Sequence, residues 1–252
     1  LLEEGFRVLV LAGTKEKNYD QLNLGAYALG YVVLANPIRE NAKSTFNYFA
    51  EQGVNIKVIS GDNPQTVSAV AKRAGITGAE RFIDANLLKT KEDLDQAVES
   101  YTVFGRVTPD QKRRLVQALK RKDHTVAMTG DGVNDILAMK SADCSIAMAS
   151  GSDAATQVAQ VVLLDSDFGH MTQVVTEGRR VVNNVQRSAI LFLVKNLFSI
   201  ILAIISAIFV FTYPLQASQL SLISLFTIGI PGFLLSLEEN DKRIEKDFIK
   251  NV

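Results

Sequence analysis

The stretch MTGDGVNDILAMKSADCSIAM, residues 128–148, decides how most of this chain folds. It begins inside an apolar run at 125–129, crosses two glycines and the polar side chains Asp131, Asn134 and Asp135, and enters a helix pattern at 134–141. A second apolar run follows at 145–148. Strand, tight loop, helix and strand in that order is the repeat of a parallel sheet wrapped by helices, whose ligand sits at the carboxyl ends of the strands. A glycine beside an aspartate where a core strand stops lets backbone come close to an anion or a metal ion. A mere turn does not require three polar side chains and two glycines there.

The same alternation recurs on both sides of this stretch. Further strand candidates are 6–12, 29–35, 55–60, 102–105 and 161–164, and helix patterns span 39–52, 64–74 and 109–122. The fold class is therefore α/β, a parallel sheet with helices on both faces. Two more strand ends carry polar residues: Ser60-Gly61-Asp62 after VNIKVI, and Arg106-Val107-Thr108-Pro109 after TVFG, with Lys112 one turn later. Asp131 and Asp135 offer hard oxygens suited to Mg²⁺. Lys112 offers a point charge to a phosphoryl group, and the Ser60 hydroxyl with its neighbouring amides offers donors for phosphoryl oxygens. Ser60-Gly61-Asp62 taken alone fits a plain turn equally well.

The composition hides two solvents. Lys+Arg and Asp+Glu both number 27 among 252 residues, which excludes nucleic-acid binding driven by a basic excess and a charge-repelled disordered chain. Yet Lys195 is the only charged side chain in residues 188–237. The apolar run 189–211 is long enough at about 1.5 Å per residue to cross the roughly 30 Å core of a bilayer. A turn, TYPLQA, and a second run at 218–237 make it a membrane hairpin. Arg179, Arg180 and Arg187 precede it and Lys242, Arg243, Lys246 and Lys250 follow it, so both ends are expected on the cytoplasmic side. One cysteine, Cys144, excludes an internal disulfide, and with two distant histidines it cannot build a zinc site. His124 and His170 show no recognisable partner, and Cys144 reads as a small core residue. The first residue is Leu1, and the chain is expected to be a piece of something longer.

Taken together, MTGDGVNDILAMKSADCSIAM, the upstream RVTPDQK and SGD, and the downstream EGRRVVNN resemble the phosphorylation domain of P-type ATPases, in the haloacid dehalogenase superfamily. The resemblance covers nearly the whole chain. It implies Mg²⁺ and ATP as cofactors, with Asp131 on the metal, Asp135 and Asn134 supporting the ion and the phosphoryl group, and Lys112 neutralising charge. Ser60 stands where the family usually has threonine. Arg106 would face the nucleotide ribose and Arg39 would stand near the nucleotide; Asn36 replaces the family's aspartate in Asn36-Pro37-Ile38-Arg39. The family's nucleophile stretch, Asp-Lys-Thr-Gly-Thr, does not occur in these 252 residues, so the chain is not expected to form an aspartyl-phosphate alone.

The resemblance also implies a domain order. Residues 1–14 would end a nucleotide-binding insertion, 15–167 form the phosphorylation domain, 168–188 a stalk helix, and 189–211 and 218–237 the fifth and sixth membrane helices. A turn at 212–217 would lie outside the cell and a tail at 238–252 in the cytoplasm. The implied protein is a multi-pass pump of a bacterial plasma membrane, catalytic domain cytoplasmic, with calcium the candidate cation. Its partners would be ATP, the cation, lipid, and the pump's remaining domains and membrane helices.

Polar residues of the spans supply a candidate transport path. Asn196 and Ser199 lie on one face of the first, with Lys195 beside them; Ser224, Thr227, Gly229 and Pro231 lie in the second, where Gly229-Ile230-Pro231-Gly232 reads as an unwound segment. Small-residue helix packing explains the serines as well. Lys195 either snorkels to the interface or acts inside as counter-charge or substrate contact. Lipid flippases of the superfamily also place a lysine before an asparagine here, which keeps a lipid or other non-cation substrate as the alternative. A membrane-anchored phosphatase would need its own nucleophilic aspartate at a strand end, and none is visible. A non-catalytic module of the same fold would have no need of Lys112, Asp131 and Asp135.

Overall fold

The computed structural model describes residues 7–14, 26–34 and 37–244. Asn36, the outer ends of the strand candidates 6–12 and 29–35, and the tail with Lys246 and Lys250 lie outside the described residues. The chain divides into two units, one through His170 and one from Met171.

In the first unit, β1 (Arg7–Gly13) and β2 (Tyr27–Leu34) form an antiparallel ladder with an irregularity between Leu11 and Ala12. The remaining strands are parallel. After α1 (Ala42–Glu51) come β3 (Val58–Ile59), α2 (Pro64–Arg73), β4 (Phe82–Asp84), α3 (Lys91–Ser100), β5 (Val103–Gly105) and α4 (Pro109–Arg121). Then follow β6 (Ala127–Gly130), α5 (Ile136–Ser141), β7 (Cys144–Met148), α6 (Asp153–Val158) and β8 (Val161–Leu163). The sheets are ordered β3-β5-β4 and β6-β7-β8.

The α/β class expected from the sequence is present, divided into two three-stranded parallel sheets and an antiparallel hairpin. Among the described residues no strand pairs with the outer edge of β3 or of β6. Of the strand candidate 55–60 only Val58 and Ile59 join the ladder. β4 and α6 escaped the sequence reading because three and six residues are too short to show a period.

Alternation of side chains along β5 builds the core. Val103 packs with Ala71 and Ala79 on one face, and Phe104 packs with Leu94, Val98, Leu115 and Ala118 on the other. Helix α4 joins the two sheets, because Leu115 and Ala118 enter the Phe104 cluster while Val116 enters a second cluster with Met128, Met139, Ala147 and Ala155. Its start is fixed by a capping box: Gln111 donates its backbone N–H to the Thr108 hydroxyl, the Gln111 side chain accepts from Thr108 N–H, and Pro109 follows the cap.

The second unit is a long helix and a broken one. Helix α7 (Met171–Ile208) runs 38 residues without interruption, about 57 Å at 1.5 Å per residue. Helices α8 (Ala217–Ser224) and α9 (Ile230–Leu237) are joined by a π-helical turn, Leu225–Gly229. Both Met171–Ile208 and Ala217–Leu237 contain stretches long and apolar enough to cross a membrane. Outward-facing Phe192, Leu197, Ile201 and Phe233 are more than one third exposed, as expected of surfaces solvated by lipid or by further helices.

The segment after α9 is tied back to α7. Asn183, buried within α7, donates its side-chain amide to the carbonyls of Asn240 and Lys242, both at 2.9 Å. Arg187 pairs with Glu238 at 2.6 Å.

Candidate functional site

Lys112 is the third residue after the Pro109 start of α4 and four before Val116, so it lies on the helix side that faces the second sheet. Its ammonium reaches Asp135, in the 3₁₀ turn after β6, with Nζ 2.7 Å from Oδ1 and both side chains largely buried. The geometry of the loop is set by close approach. A Cβ on Gly130 would stand 2.5 Å from Asp135 Cβ, so the strand end admits no side chain there. Asp135 N–H in turn donates to Gly132 O, and Gly132 N–H points at Asp135 Oδ2 at 3.4 Å.

Asp131 is held by its backbone and presents its carboxylate outward. Ser152 N–H donates to Asp131 O at 2.7 Å, and a Cβ on Gly151 would fall 2.5 Å from that same oxygen. The Asp131 carboxylate is exposed and has no hydrogen bond or ion pair among the described residues. Asn134, in the same turn, is exposed as well.

Ser60, Gly61 and Asp62 follow β3 and are bound to the strand end beside them. Ser60 N–H donates to Phe104 O and Ser60 O accepts from Val107 N–H, while Asp62 N–H donates to Ser60 Oγ at 3.1 Å. Arg106 N–H donates to Asp62 O at 2.8 Å, which fixes Arg106 at a φ of 53°, a left-handed conformation unusual for a side chain of this size. The backbone therefore links the Ser60 loop directly to the start of α4.

Sequence reasoning missed Asp84. It ends β4, accepts a 2.8 Å bond from Arg106 Nη1, and caps the following turn through Asn86 N–H. The signal was an aspartate closing the short run FID, at a strand too brief to recognise. Arg39 stands elsewhere, exposed and 3.8 Å from Asp167, whose other oxygen accepts from Asn41 at 2.8 Å. Among the described residues no contact joins Arg39 to Arg106 or to the Lys112–Asp135 pair.

The histidines have partners after all. His124 Nε2 lies 2.9 Å from Glu99 Oε1 and His170 Nδ1 lies 3.3 Å from Asp165; both carboxylates come from outside the local windows of the sequence reading or from an unrecognised turn. Cys144 is half-buried on β7.

The donor set fits Mg²⁺ in one form. No group of three or more His, Cys, Asp or Glu side chains that could hold a metal occurs among the described residues. Mg²⁺ retains several waters and is commonly bound by one or two carboxylates plus substrate phosphates, which the free Asp131 carboxylate satisfies. Asp135 has one oxygen committed to Lys112.

In the membrane-type unit the Ser224 and Thr227 hydroxyls are turned inward upon their own helices. Ser224 Oγ donates to Leu220 O at 2.8 Å and Thr227 Oγ1 to Ile223 O at 2.7 Å. Of the segment expected to be unwound, residues 229–232, Ile230, Pro231 and Gly232 are helical at the start of α9, while Gly229 ends a π turn, Leu225–Gly229, closed by Ile230 N–H on Leu225 O. Its cause is Pro231, which lacks the N–H that an α-helix would direct to Thr227 O, so the ladder shifts by one residue. Lys195 is half-buried, Asn196 exposed and Ser199 half-buried on α7, and none has a side-chain hydrogen bond or ion pair among the described residues.

The family described as haloacid dehalogenase-like hydrolase matches residues 4–143. The protein named "Probable cation-transporting ATPase exp7" of Streptococcus pneumoniae is 44% identical over 260 residues, spanning 99% of this chain and 33% of its own length. Calcium-transporting ATPase CtpE of Mycobacterium bovis is 45% identical over 261 residues, 99% of this chain and 32% of its own. Human calcium-transporting ATPase type 2C member 1 is 33% identical over 249 residues, 95% and 26% respectively. The chain thus spans about one third of the length of the bacterial relatives. A zinc-transporting PIB-type ATPase crystallised in its E2.Pi state shares the fold with a TM-score of 0.61 at 20% identity, over 93% of this chain and 31% of that one. The chain belongs to the haloacid dehalogenase-like hydrolase family, as a segment homologous to P-type ATPases.

Proposed function

We propose that this chain is the phosphoryl-handling and membrane-coupling segment of an ATP-driven cation pump, with calcium as the transported ion. The observation that carries this reading is the buried Lys112–Asp135 pair beside an unpaired, exposed Asp131 at the carboxyl end of β6. A lysine charge and a free carboxylate at one strand end serve phosphoryl transfer, which depends almost wholly on positioning and charge neutralisation. Mg²⁺, bound by Asp131 and supported by Asn134 and Asp135, would supply positive charge to the phosphoryl oxygens.

The chain's own residues then have distinct tasks. Lys112 presents its ammonium to the transferred group while Asp135 holds it in place. Ser60, Gly61 and Asp62 offer a hydroxyl and backbone amides to the same oxygens, and Arg106, positioned by Asp84, faces the nucleotide, with Arg39 toward its outer side. The attacking aspartate belongs to a segment outside these 252 residues. Helix α7 carries motion toward the bilayer of a bacterial plasma membrane, where Lys195, Asn196, Ser199, Ser224, Thr227, Gly229 and Pro231 line the path of the ion. The remaining domains and helices of the pump, and lipid, are its partners. The calcium assignment is supported by the names of the mycobacterial and human relatives.

The test is substrate-stimulated ATPase of the longer protein in proteoliposomes, with acid-quenched labelling from γ-labelled ATP. Calcium stimulation and an acid-stable acyl-phosphate on the longer protein, absent from this chain alone, are expected. Stimulation by phospholipid and by no cation would overturn the assignment, and an acyl-phosphate formed on the isolated chain would overturn the placement of the nucleophile.

A further inference from the structure

The parallel sheet β3-β5-β4 has a second end, and it is not empty of chemistry. Lys57, Arg81 and Thr102 are the residues immediately before the first positions of β3, β4 and β5 respectively. Parallel register brings all three to one edge, where they line a cavity of about 240 Å³ walled by Phe46, Ile56 and Ile76. The polar strand ends at Ser60 and Asp84 lie at the opposite edge, about 10 Å away at 3.3 Å per strand residue.

Two cations face this cavity, and no carboxylate among the described residues forms an ion pair with either. The Lys57 ammonium donates once, to Tyr101 O at 2.7 Å, leaving two N–H donors. The Arg81 guanidinium reaches the Thr102 hydroxyl at 3.4 Å and rests over Gly78, where a Cβ would stand 2.5 Å from Nη2. Thr102 is buried and retains its own hydroxyl proton. Burial, and then the charge of Arg81, holds the Lys57 pKa below its ordinary value, against a smaller opposing pull from Glu99. Glu99 itself is bonded to His124. Donors without a matching acceptor around a void, with Thr102 buried, Lys57 half-buried and Arg81 exposed, form a pocket for an anion.

We propose that this cavity binds a small oxyanion of the size of inorganic phosphate, held by Lys57, Arg81 and Thr102 at the end of the sheet opposite the Ser60 loop. Its volume lies below the roughly 300 Å³ at which drug-sized pockets begin, which favours a free oxyanion over a nucleotide. The inference stands independently of the pump assignment.

Acylation of lysines by an amine-reactive ester, read by peptide mass spectrometry on the full chain in detergent, tests it with inorganic phosphate as the probe and chloride matching the ionic strength. At a phosphate concentration about ten times the dissociation constant, mass action leaves about one site in ten free, so acylation of Lys57 slows about tenfold while Lys72 is unaffected. The slowing persists in Lys112→Met, which separates the cavity from the phosphoryl site, and weakens in Arg81→Gln. Equal behaviour of Lys57 and Lys72, loss of the effect in Lys112→Met, full retention in Arg81→Gln, or protection by ATP and not by phosphate would each overturn the proposal. The wild-type comparison of the two lysines stands even where a variant does not fold.

Discussion

Lys112 Nζ lies 2.7 Å from Asp135 Oδ1, and the two side chains are 14% and 10% exposed. The pair joins α4 to the loop after β6, so structure and chemistry converge on one contact. Removing one partner leaves a nearly buried charge alone, and Lys112→Met or Asp135→Asn is expected to cost about 3 kcal/mol. The double variant should recover part of that stability and none of the ATPase activity of the longer protein. Thermal unfolding and phosphate release, measured on the three variants, check this; a fully stable single variant would contradict it.

Asp131 offers a carboxylate with no partner, so Asp131→Asn should leave the fold intact while abolishing any rise in melting temperature produced by Mg²⁺. Circular dichroism with and without the ion is the measurement. An unchanged response to Mg²⁺ would remove Asp131 from the metal site.

Gly130→Ala places a methyl where 2.5 Å separates it from Asp135 Cβ. Overpacking of this kind costs typically about 1–3 kcal/mol, and here it should also displace Asp135 from Lys112. A denaturant titration gives the first effect. A structure of the variant with the Lys112–Asp135 distance unchanged would disprove the second.

Asp143 accepts from the Lys120 side chain and from Val126 N–H, and these bonds, in that order of importance, hold its carboxyl below the usual carboxylate range. The unfolded chain therefore takes up the proton first as pH falls. The stabilisation is complete above the ordinary aspartate value of about 3.9 and is lost as pH drops through the lower folded value. Asp143→Asn should flatten the acid limb of a melting-temperature profile; an identical limb would show that the carboxylate contributes nothing.

Asn183 donates to two carbonyls, those of Asn240 and Lys242. Asn183→Ala leaves both acceptors without this donor and should cost about 1–3 kcal/mol. Asn183→Asp should not rescue it, because an ionised carboxylate cannot donate. Hydrogen exchange across residues 238–244 is expected to quicken in both variants, and rescue by aspartate would argue for a role other than donation.

How much of this was visible beforehand follows from distance along the chain. The strand end at Asp131, the helix carrying Lys112 and the long apolar runs each declare themselves within a window of a few turns, where periodicity and glycine placement operate. The bond between Lys112 and Asp135 spans 23 positions and that between Arg106 and Asp84 spans 22. No local pattern specifies such partners. β4 was unreadable for a related reason: three residues become a strand only because β5 offers a neighbouring ladder. The π turn was half legible, since Pro231 forecasts a disturbed helix, but whether the ladder opens or shifts by one residue depends on the packing around it.

The class of fold, the polar strand ends and the membrane-type hairpin are written in local sequence, because they follow from side-chain period, backbone freedom at glycine and the cost of burying charge. Packing in three dimensions sets the rest: Asp135 is engaged by Lys112 while Asp131 is free, Arg106 answers to Asp84, and Lys57, Arg81 and Thr102 share one cavity. Those outcomes depend on how α4 packs between two sheets and on the register of parallel strands, which arise from contacts between residues far apart in the chain.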